Sequence, residues 1–196
     1  MFEIDKTIES FINKLDYHSI KPENFTLKDT KEFWGSIFNG EIIPSRYLQE
    51  INNIEKIKCR NEDLKDSVHP ITNVPFVEKS IDILVGNDLK EIKVVVPKFD
   101  FMFETTLPKN KLLASDREQF QECNSQLANA FNFDKKLVEK FNDTQIEQIL
   151  DGETPDGYVW HHDAEVGKMQ LVPFDIHQQT GHTGGRSIWG GGNNNR

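Results

Sequence analysis

A histidine-rich segment near the C-terminus, residues 157–185, constrains the fold and the chemistry of this chain more than any other feature. Four of the six histidines of the 196-residue chain lie within it. Two short apolar runs, 158–161 and 168–172, flank a polar five-residue connection that ends in Gly167. This pattern predicts a β-hairpin.

The residues after the hairpin predict a short helix. Pro173 suits the first helical position, where its missing N–H would have no partner, and Gly181 suits the residue just past the helix end. We therefore expect about two turns of helix from roughly residue 173 to residue 180.

Two of the four histidines belong to the predicted hairpin, and the other two lie in or just after the predicted helix. Neighbouring residues on a strand point to opposite faces, so His161 and His162 cannot both reach one metal ion from a regular strand. One of them should be a metal ligand and the other a base. His177 projects from the predicted helix and His182 follows its end, so ligands from both elements can converge on one ion.

Four stretches of the segment, taken in their order along the chain, form a recognisable motif. They are Trp160-His161-His162, Met169-Gln170-Leu171-Val172-Pro173, His177, and His182-Thr183-Gly184-Gly185. In this order they resemble the ββα-metal site of the HNH and endonuclease VII superfamily, and most closely its toxin nucleases with a Trp-His-His motif, which are similar to colicin-like bacteriocin DNases. The motif covers about residues 155–190, and a weaker similarity extends back to about residue 70.

The resemblance implies a role for each motif residue. His161 matches a metal ligand, His177 matches the helical metal ligand, and His182 matches a further ligand or a phosphate contact. His162 matches the general base that deprotonates water. Gln170 stands where the family usually has Asn, whose side chain braces the hairpin loop and so orients the base.

Candidates for holding the substrate phosphate follow the motif or lie within it. They are Arg186, Lys168 and the backbone amides of Thr183, Gly184 and Gly185, where the glycines allow close approach. Imidazole-rich ligation favours Zn, Ni, Co or Mn over Mg, although the working ion stays open among these five. We expect one divalent metal ion as the cofactor.

The predicted function is a metal-dependent endonuclease that acts as an antibacterial toxin or effector, with DNA favoured over RNA by resemblance alone. The family implies a cognate immunity protein as partner. No signal peptide follows Met1, so we expect secretion by another delivery system, action in the target-cell cytoplasm and no membrane partner. The alternative is a non-catalytic binding or adaptor protein whose histidine cluster is a structural metal site. No His-Glu-x-x-His motif supports a protease.

The acidic composition is at odds with nucleic-acid binding, since phosphate contacts supply most of that affinity. The formal net charge is −9, but residues 157–196 carry three acidic and three basic residues, so the acidity lies elsewhere. Cys59 and Cys123 are far apart and form neither a zinc-binding nor a disulfide pattern. A local basic face could combine Lys109, Lys111, Lys135, Lys136, Lys140, Lys168 and Arg186.

The order of predicted elements indicates an α+β fold that is mostly helical. Residues 1–60 predict a small helical adaptor or linker unit, and residues 61–70 a polar linker. Residues 71–190 predict a nuclease domain whose ββα-metal motif spans 157–182. Residues 191–196 have no apolar side chain and should be disordered.

Further elements are predicted inside the nuclease domain. β-Branched runs at 81–85 and 92–96 indicate another hairpin. Phe99 to Leu107 should form irregular or short helical structure. Helix starts are expected at Ser115 and Thr144, each followed by Glu three residues later, and at Asp134.

Overall fold

A computed structural model describes residues 57–85 and 88–190 of the chain. The chain divides into two compact units, of which the first comprises Met1–Glu55 and Asp82–Ile92 and the second Lys56–Ile81 and Lys93–Arg196. The histidine-rich segment belongs to the second unit. The helices predicted within residues 1–56 and the tail at 191–196 lie outside the described residues, so the domain boundaries stay a prediction.

A three-stranded sheet opens the described chain. It consists of β1 (Ser67–Val68), β2 (Pro75–Val85) and β3 (Asp88–Pro97), in the order β1-β2-β3. Strand β1 pairs antiparallel with the start of β2. The two predicted β-branched strands are confirmed, and both are longer than the runs that predicted them. Val94, Val95 and Val96 of β3 are buried, as expected for such a run.

The second sheet contains the predicted histidine hairpin. Strands β5 (Tyr158–His162) and β6 (Lys168–Pro173) pair antiparallel, and residues 163–167 connect them, as predicted. Gly167 closes this connection with a φ of 74°, in the region that favours glycine.

The third strand of this sheet was not predicted. Strand β4 (Phe103–Thr106) pairs antiparallel with β6, giving the order β4-β6-β5. Irregular or short helical structure for Phe99–Leu107 is therefore a wrong prediction over these four residues. Four residues are too few for a clear period-two pattern, and the hydrogen bonds of β4 come from a strand far along the chain.

Three helices lie between β4 and β5. They are α1 (Asp116–Phe131), α2 (Lys135–Val138) and α3 (Asp143–Leu150), and a 3-10 turn at Lys109–Lys111 precedes them. The predicted capping box of α1 is confirmed. The N–H of Glu118 donates to the Ser115 hydroxyl, and the Ser115 N–H donates to the Glu118 carboxylate. Asp134 caps α2, also as predicted.

Helix α3 begins earlier than predicted. Asn142 is its N-cap and forms the capping box with Gln145, so the predicted start at Thr144 is wrong. Asn is at least as good an N-cap as Thr, and it lies two residues upstream, so the helix begins at the earlier cap.

Two short helices end the described chain. Helix α4 (Phe174–Gln179) follows β6 directly, with Pro173 as its N-cap, close to the predicted start. Helix α5 (Gly185–Ile188) follows after a short link.

The segment 61–70, predicted as a linker, is folded. It contains a 3-10 turn at Glu62–Leu64 and strand β1. The Asn61 side-chain amide donates to the Gly181 carbonyl at 2.7 Å. This bond attaches the start of the described chain to the histidine-rich end.

The described chain is α+β, as predicted, and its core lies between α1 and the second sheet. Cys123 and Leu127 of α1 and Met169 and Leu171 of β6 are fully buried. The mostly helical character is not confirmed, because two three-stranded sheets stand beside the helices. Within the described ranges, no helix has both the length and the apolar character needed to cross a bilayer.

Candidate metal centre and catalytic histidine

The adjacent histidines at the end of β5 have different surroundings. His161 meets His177 from α4 and His182 from the residues after α4. His162 instead contacts Gln119 of α1. This division follows from the period of two along a strand, and it is the division that the sequence predicted.

His161, His177 and His182 form a group that could hold a metal ion. One ring nitrogen from each lies within 4.8 Å of the other two. The Nδ1 of His161 is 3.2 Å from the Nε2 of His177. Two nitrogens bound to a tetrahedral zinc ion at about 2.05 Å would be about 3.3 Å apart, so the observed spacing fits a shared ion.

The orientation of His182 is determined by the end of α4. Its Nδ1 lies 2.6 Å from the carbonyl oxygen of Thr180. A carbonyl can only accept, so Nδ1 carries the proton and Nε2 is left as the ligand atom. Thr180 is itself buried, and its hydroxyl donates to the Ile176 carbonyl at 2.7 Å. Support of this kind orients metal-binding histidines and sets their tautomer.

Burial keeps all three imidazoles neutral. Burial lowers the pKa of His161 well below its ordinary value, and the charges of the neighbouring histidines lower it further. Burial and the charge of His182 lower the pKa of His177 to about 4. Burial also lowers the pKa of His182, and the bond to Thr180 only partly opposes it. Neutral imidazole is the form that binds metal, so at neutral pH the three histidines are in the form that could hold an ion.

The Phe99 ring packs against all three histidines. Its ring centroid is 4.8 Å from that of His161, 5.5 Å from that of His177 and 5.3 Å from that of His182. Phe99 is buried in a cluster of apolar side chains. It therefore excludes water from one side of the group, which is a physical source of the lowered pKa values.

His162 lies between two aromatic rings and one amide. Its ring centroid is 5.7 Å from that of Phe120 and 5.6 Å from that of Trp189. Its Nε2 is 2.7 Å from the Oε1 of Gln119. Only 8% of the residue is exposed, so its position is set by packing on α1 and on Trp189, the residue that follows α5.

The tryptophan of the Trp-His-His motif is anchored by the same helix. The Trp160 indole N–H donates to the Oδ1 of Asn124 at 2.7 Å. Asn124 in turn donates to the Gly152 carbonyl at 3.0 Å. Helix α1 therefore holds the motif strand at two places, through Asn124 and through Gln119.

Gln170 was predicted to brace the hairpin loop and so orient the base. In the register of the second sheet it lies opposite His161 on β5 and opposite Glu104 on β4. Its amide Nε2 donates to the Glu104 carboxylate at 2.7 Å. Residues directly opposite each other on neighbouring strands have their side chains on the same face of the sheet. The Gln170 amide therefore joins β6 to β4 on the face that carries His161, and does not brace the connection at residues 163–167.

Asp163 braces that connection, although no sequence pattern marks it. Its carboxylate is buried and accepts two hydrogen bonds from the Lys79 ammonium group, at 2.9 and 2.7 Å, and one from the Glu165 N–H at 2.9 Å. Its backbone carbonyl accepts from the Trp189 indole N–H at 2.8 Å. Asp163 thus connects the histidine hairpin to β2 and α5.

Arg186, predicted to contact the substrate phosphate, is buried. Its Nη1 donates to the Ala114 carbonyl and to the Gln119 Oε1, both at 3.0 Å. Its Nε lies 2.9 Å from the Asp116 carboxylate. Only 5% of the residue is exposed, so the guanidinium group stabilises the packing of α1 against α5.

The other predicted phosphate contacts, Gly184, Gly185 and Lys168, have different surroundings. Gly185 is buried, and an added Cβ would lie 1.9 Å from the Asp163 carbonyl oxygen, so this glycine is needed for packing. Gly184 is more open, with no atom closer than 3.5 Å to such a Cβ. Lys168 is partly exposed and forms an ion pair with Glu165 at 2.6 Å.

One arginine that no motif marks lies beside the histidine group. Arg60 is exposed, and its guanidinium Cζ would be 2.6 Å from a Cβ added to Gly181. Its charge contributes to the lowered pKa of His182, and its backbone N–H donates to the Thr183 hydroxyl at 2.9 Å. The ion pairs among the described residues do not include Arg60. It was overlooked because it lies in the segment predicted to end the helical unit.

Comparison with known proteins gives one match, to a family model. No curated protein and no solved structure matches the chain. A family model, colicin-DNase, matches residues 90–184, which include the three clustered histidines, His162 and Gln119. Arg60 and Lys79 precede the matched residues. Residues 90–184 are therefore similar to the DNase/tRNase domain of colicin-like bacteriocins, and this match supports a nuclease toxin of the bacteriocin type.

Proposed function

We propose that this protein is a metal-dependent endonuclease of the HNH type that hydrolyses phosphodiester bonds, in DNA rather than RNA, as an antibacterial toxin. One observation carries the proposal. Three neutral imidazoles of the histidine segment converge, whereas the fourth, His162, is adjacent in sequence but held separately by Gln119. A site that only stabilised the fold would not need His162. The family match supports the same function.

His161, His177 and His182 would hold one divalent ion. Neutral nitrogen ligands suit Zn, Ni, Co or Mn better than Mg. Three protein ligands, rather than four, are typical of catalytic sites that keep a position for water or substrate. When bound, the ion supplies a Lewis acid that stabilises negative charge on the phosphate and on the leaving oxygen.

His162 is the proposed general base. A neutral imidazole can take a proton from the attacking water, whose oxygen then bonds to phosphorus while the 3′ oxygen leaves. His161 and His162 are adjacent at the end of β5. We propose that the histidine group and the base act on one phosphodiester.

Arg60 is the proposed phosphate contact in place of the buried Arg186. A guanidinium group matches the geometry of phosphate oxygens through paired N–H donors. Arg60 is exposed beside His182. A cation at this position supplies local attraction for nucleic acid in a chain whose net charge is −9.

The proposed toxin function includes a protein partner and a route into other cells. We propose that a cognate immunity protein binds the nuclease in the producing cell. After secretion, the nuclease acts in the cytoplasm of the target cell. The similarity to the DNase/tRNase domain of colicin-like bacteriocins supports both proposals.

Two histidine variants separate catalysis from metal binding. His182→Ala removes a ligand, so it should weaken both zinc binding and cleavage. His162→Ala should retain zinc binding but reduce cleavage of supercoiled plasmid by about 10²–10⁴-fold, the usual contribution of a general base. Calorimetry measures zinc binding, and gel assays follow plasmid and total RNA after chelation and after addition of Zn, Ni, Mn, Co or Mg.

Each alternative has a distinct result in these assays. If the metal-loaded protein is folded but cleaves neither nucleic acid, and if chelation unfolds it, the protein is a binding or adaptor protein with a structural metal site. Cleavage of RNA without cleavage of plasmid would overturn the preference for DNA.

A further inference from the structure

The Gln119 side chain connects three parts of the second unit at the base histidine. Gln119 lies on α1 and has no exposed surface. Its amide Nε2 donates to the carbonyl oxygens of Lys111 and Leu112, both at 2.8 Å. A carbonyl can only accept, so these two contacts determine which end of the amide is nitrogen.

The amide oxygen therefore faces the other way. Gln119 Oε1 lies 3.0 Å from Nη1 of Arg186 and 2.7 Å from Nε2 of His162. A guanidinium group can only donate, which agrees with oxygen at this position. Because an amide oxygen only accepts, the Nε2 of His162 must be the donor. Neutral His162 then carries its proton on Nε2, and Nδ1 is the unprotonated nitrogen.

We propose that Gln119 is a positioning residue that holds His162 as the Nε2–H tautomer, so that Nδ1 is the nitrogen that takes the proton from water. The catalytic part of this inference rests on the proposed role of His162 as general base. As the water O–H bond breaks, a new N–H bond forms at Nδ1. The ring becomes an imidazolium that still donates from Nε2 to the Gln119 oxygen, and the charge strengthens that hydrogen bond.

Arg186 has a supporting role in this arrangement. It donates to the same Gln119 oxygen and pairs with Asp116, three residues earlier on α1. The amide oxygen is thus kept in place from two sides, by the two backbone carbonyls behind the amide nitrogen and by the guanidinium group beside the oxygen. This places Arg186 in the support of the base and not on the substrate.

The tautomer can be measured directly in the metal-free protein. Long-range ¹H–¹⁵N NMR of the histidine rings distinguishes Nε2–H from Nδ1–H, and spectra at about pH 8 are above the ordinary range of a histidine pKa. We expect His162 as the Nε2–H tautomer in the unmodified protein. An Nδ1–H tautomer would overturn the inference, and this test needs no variant that might fail to fold.

Variants of Gln119 then test its role. Gln119→Met removes the acceptor and should give a mixture of tautomers, with kcat lowered about 10–100-fold and KM nearly unchanged. Gln126→Met is the matched control, because Gln126 lies on the same helix and bonds instead to Glu122 and the Thr106 carbonyl. Unchanged tautomers in folded Gln119→Met would show that Gln119 does not hold the ring.

The outcome is distinguishable from failure of the proposed function. If His162 is the Nε2–H tautomer but His162→Ala cleaves normally, the structural inference stands and the general-base proposal fails. If His162→Ala is inactive but the unmodified protein is the Nδ1–H tautomer, the proposed function stands and the role of Gln119 is rejected.

Discussion

Two adjacent glycines should differ strongly in how much the same substitution destabilises the protein. A Cβ on Gly185 would lie 1.9 Å from the Asp163 carbonyl oxygen and 2.4 Å from the Trp189 indole nitrogen. A Cβ on Gly184 would have no neighbour closer than 3.5 Å. Neither glycine has a positive φ, so backbone strain does not complicate the comparison.

The loss of unfolding free energy caused by Gly185→Ala follows from the distance by which the two backbone segments must separate. Ordinary van der Waals contact begins at 3.4 Å, so the backbone must separate by 3.4 − 1.9 = 1.5 Å. Overpacking of this kind costs about 1–3 kcal/mol. The movement also breaks the hydrogen bond from Trp189 to the Asp163 carbonyl, at a further cost of about 1–3 kcal/mol. We expect a total of roughly 2–6 kcal/mol for Gly185→Ala and a change within about 0.5 kcal/mol for Gly184→Ala.

Urea unfolding of the metal-free protein, followed by tryptophan fluorescence, measures both free energies. The melting temperature should fall by roughly 2–4 °C per kcal/mol for Gly185→Ala and hardly change for Gly184→Ala. Equal effects of the two substitutions would refute the reasoning. A stable Gly185→Ala variant would mean that residue 185 does not press against the hairpin connection.

Three other outcomes follow from contacts around the histidines. Arg60→Ala should weaken binding of a short DNA duplex in EDTA, measured by fluorescence anisotropy. It should also reduce the slope of log K against log salt concentration by the amount expected for about one phosphate contact. Arg117→Ala, at an exposed arginine of α1, should do neither, and equal effects would argue against a specific role for Arg60. In the metal-free protein, the free energy of unfolding should fall by up to about 3 kcal/mol between roughly pH 6.5 and pH 4 on account of His177. Over that range the unfolded chain binds a proton that folded His177 does not, and a flat profile in urea titrations would contradict the lowered pKa. Lys79→Met should destabilise the protein by about 3 kcal/mol or more, because it leaves the Asp163 carboxylate buried without its cation. Adding Asp163→Asn should restore part of that loss, and a double variant no more stable than Lys79→Met would exclude the ion pair as the cause.

The parts of the site that could be predicted from sequence depend on residues a few positions apart. Two short apolar runs and Gly167 predicted the hairpin, and the period of two separated His161 from His162. The Ser115 capping box likewise predicted the start of α1. Such signals are local, so they survive without knowledge of the rest of the chain.

The errors occurred where local signals were short or had competitors. Strand β4 has only four residues, and its partner β6 is far along the chain. The start of α3 was predicted at Thr144 because Thr followed by Glu three residues later is a capping-box pattern. Asn142 provides an equivalent cap two residues upstream. Two candidate caps two residues apart cannot be ranked from sequence alone.

The sequence by itself determined the hairpin, the short helix after it, and the split of the adjacent histidines between two sets of neighbours. Only the tertiary structure decided which distant side chains surround this segment: Gln119 at His162, Lys79 at Asp163, and Arg60 rather than Arg186 beside the three clustered histidines. The partners of His162 and Asp163 are 43 and 84 residues away along the chain. Side chains so distant meet only through packing of whole elements, and no local periodicity or capping rule encodes that packing.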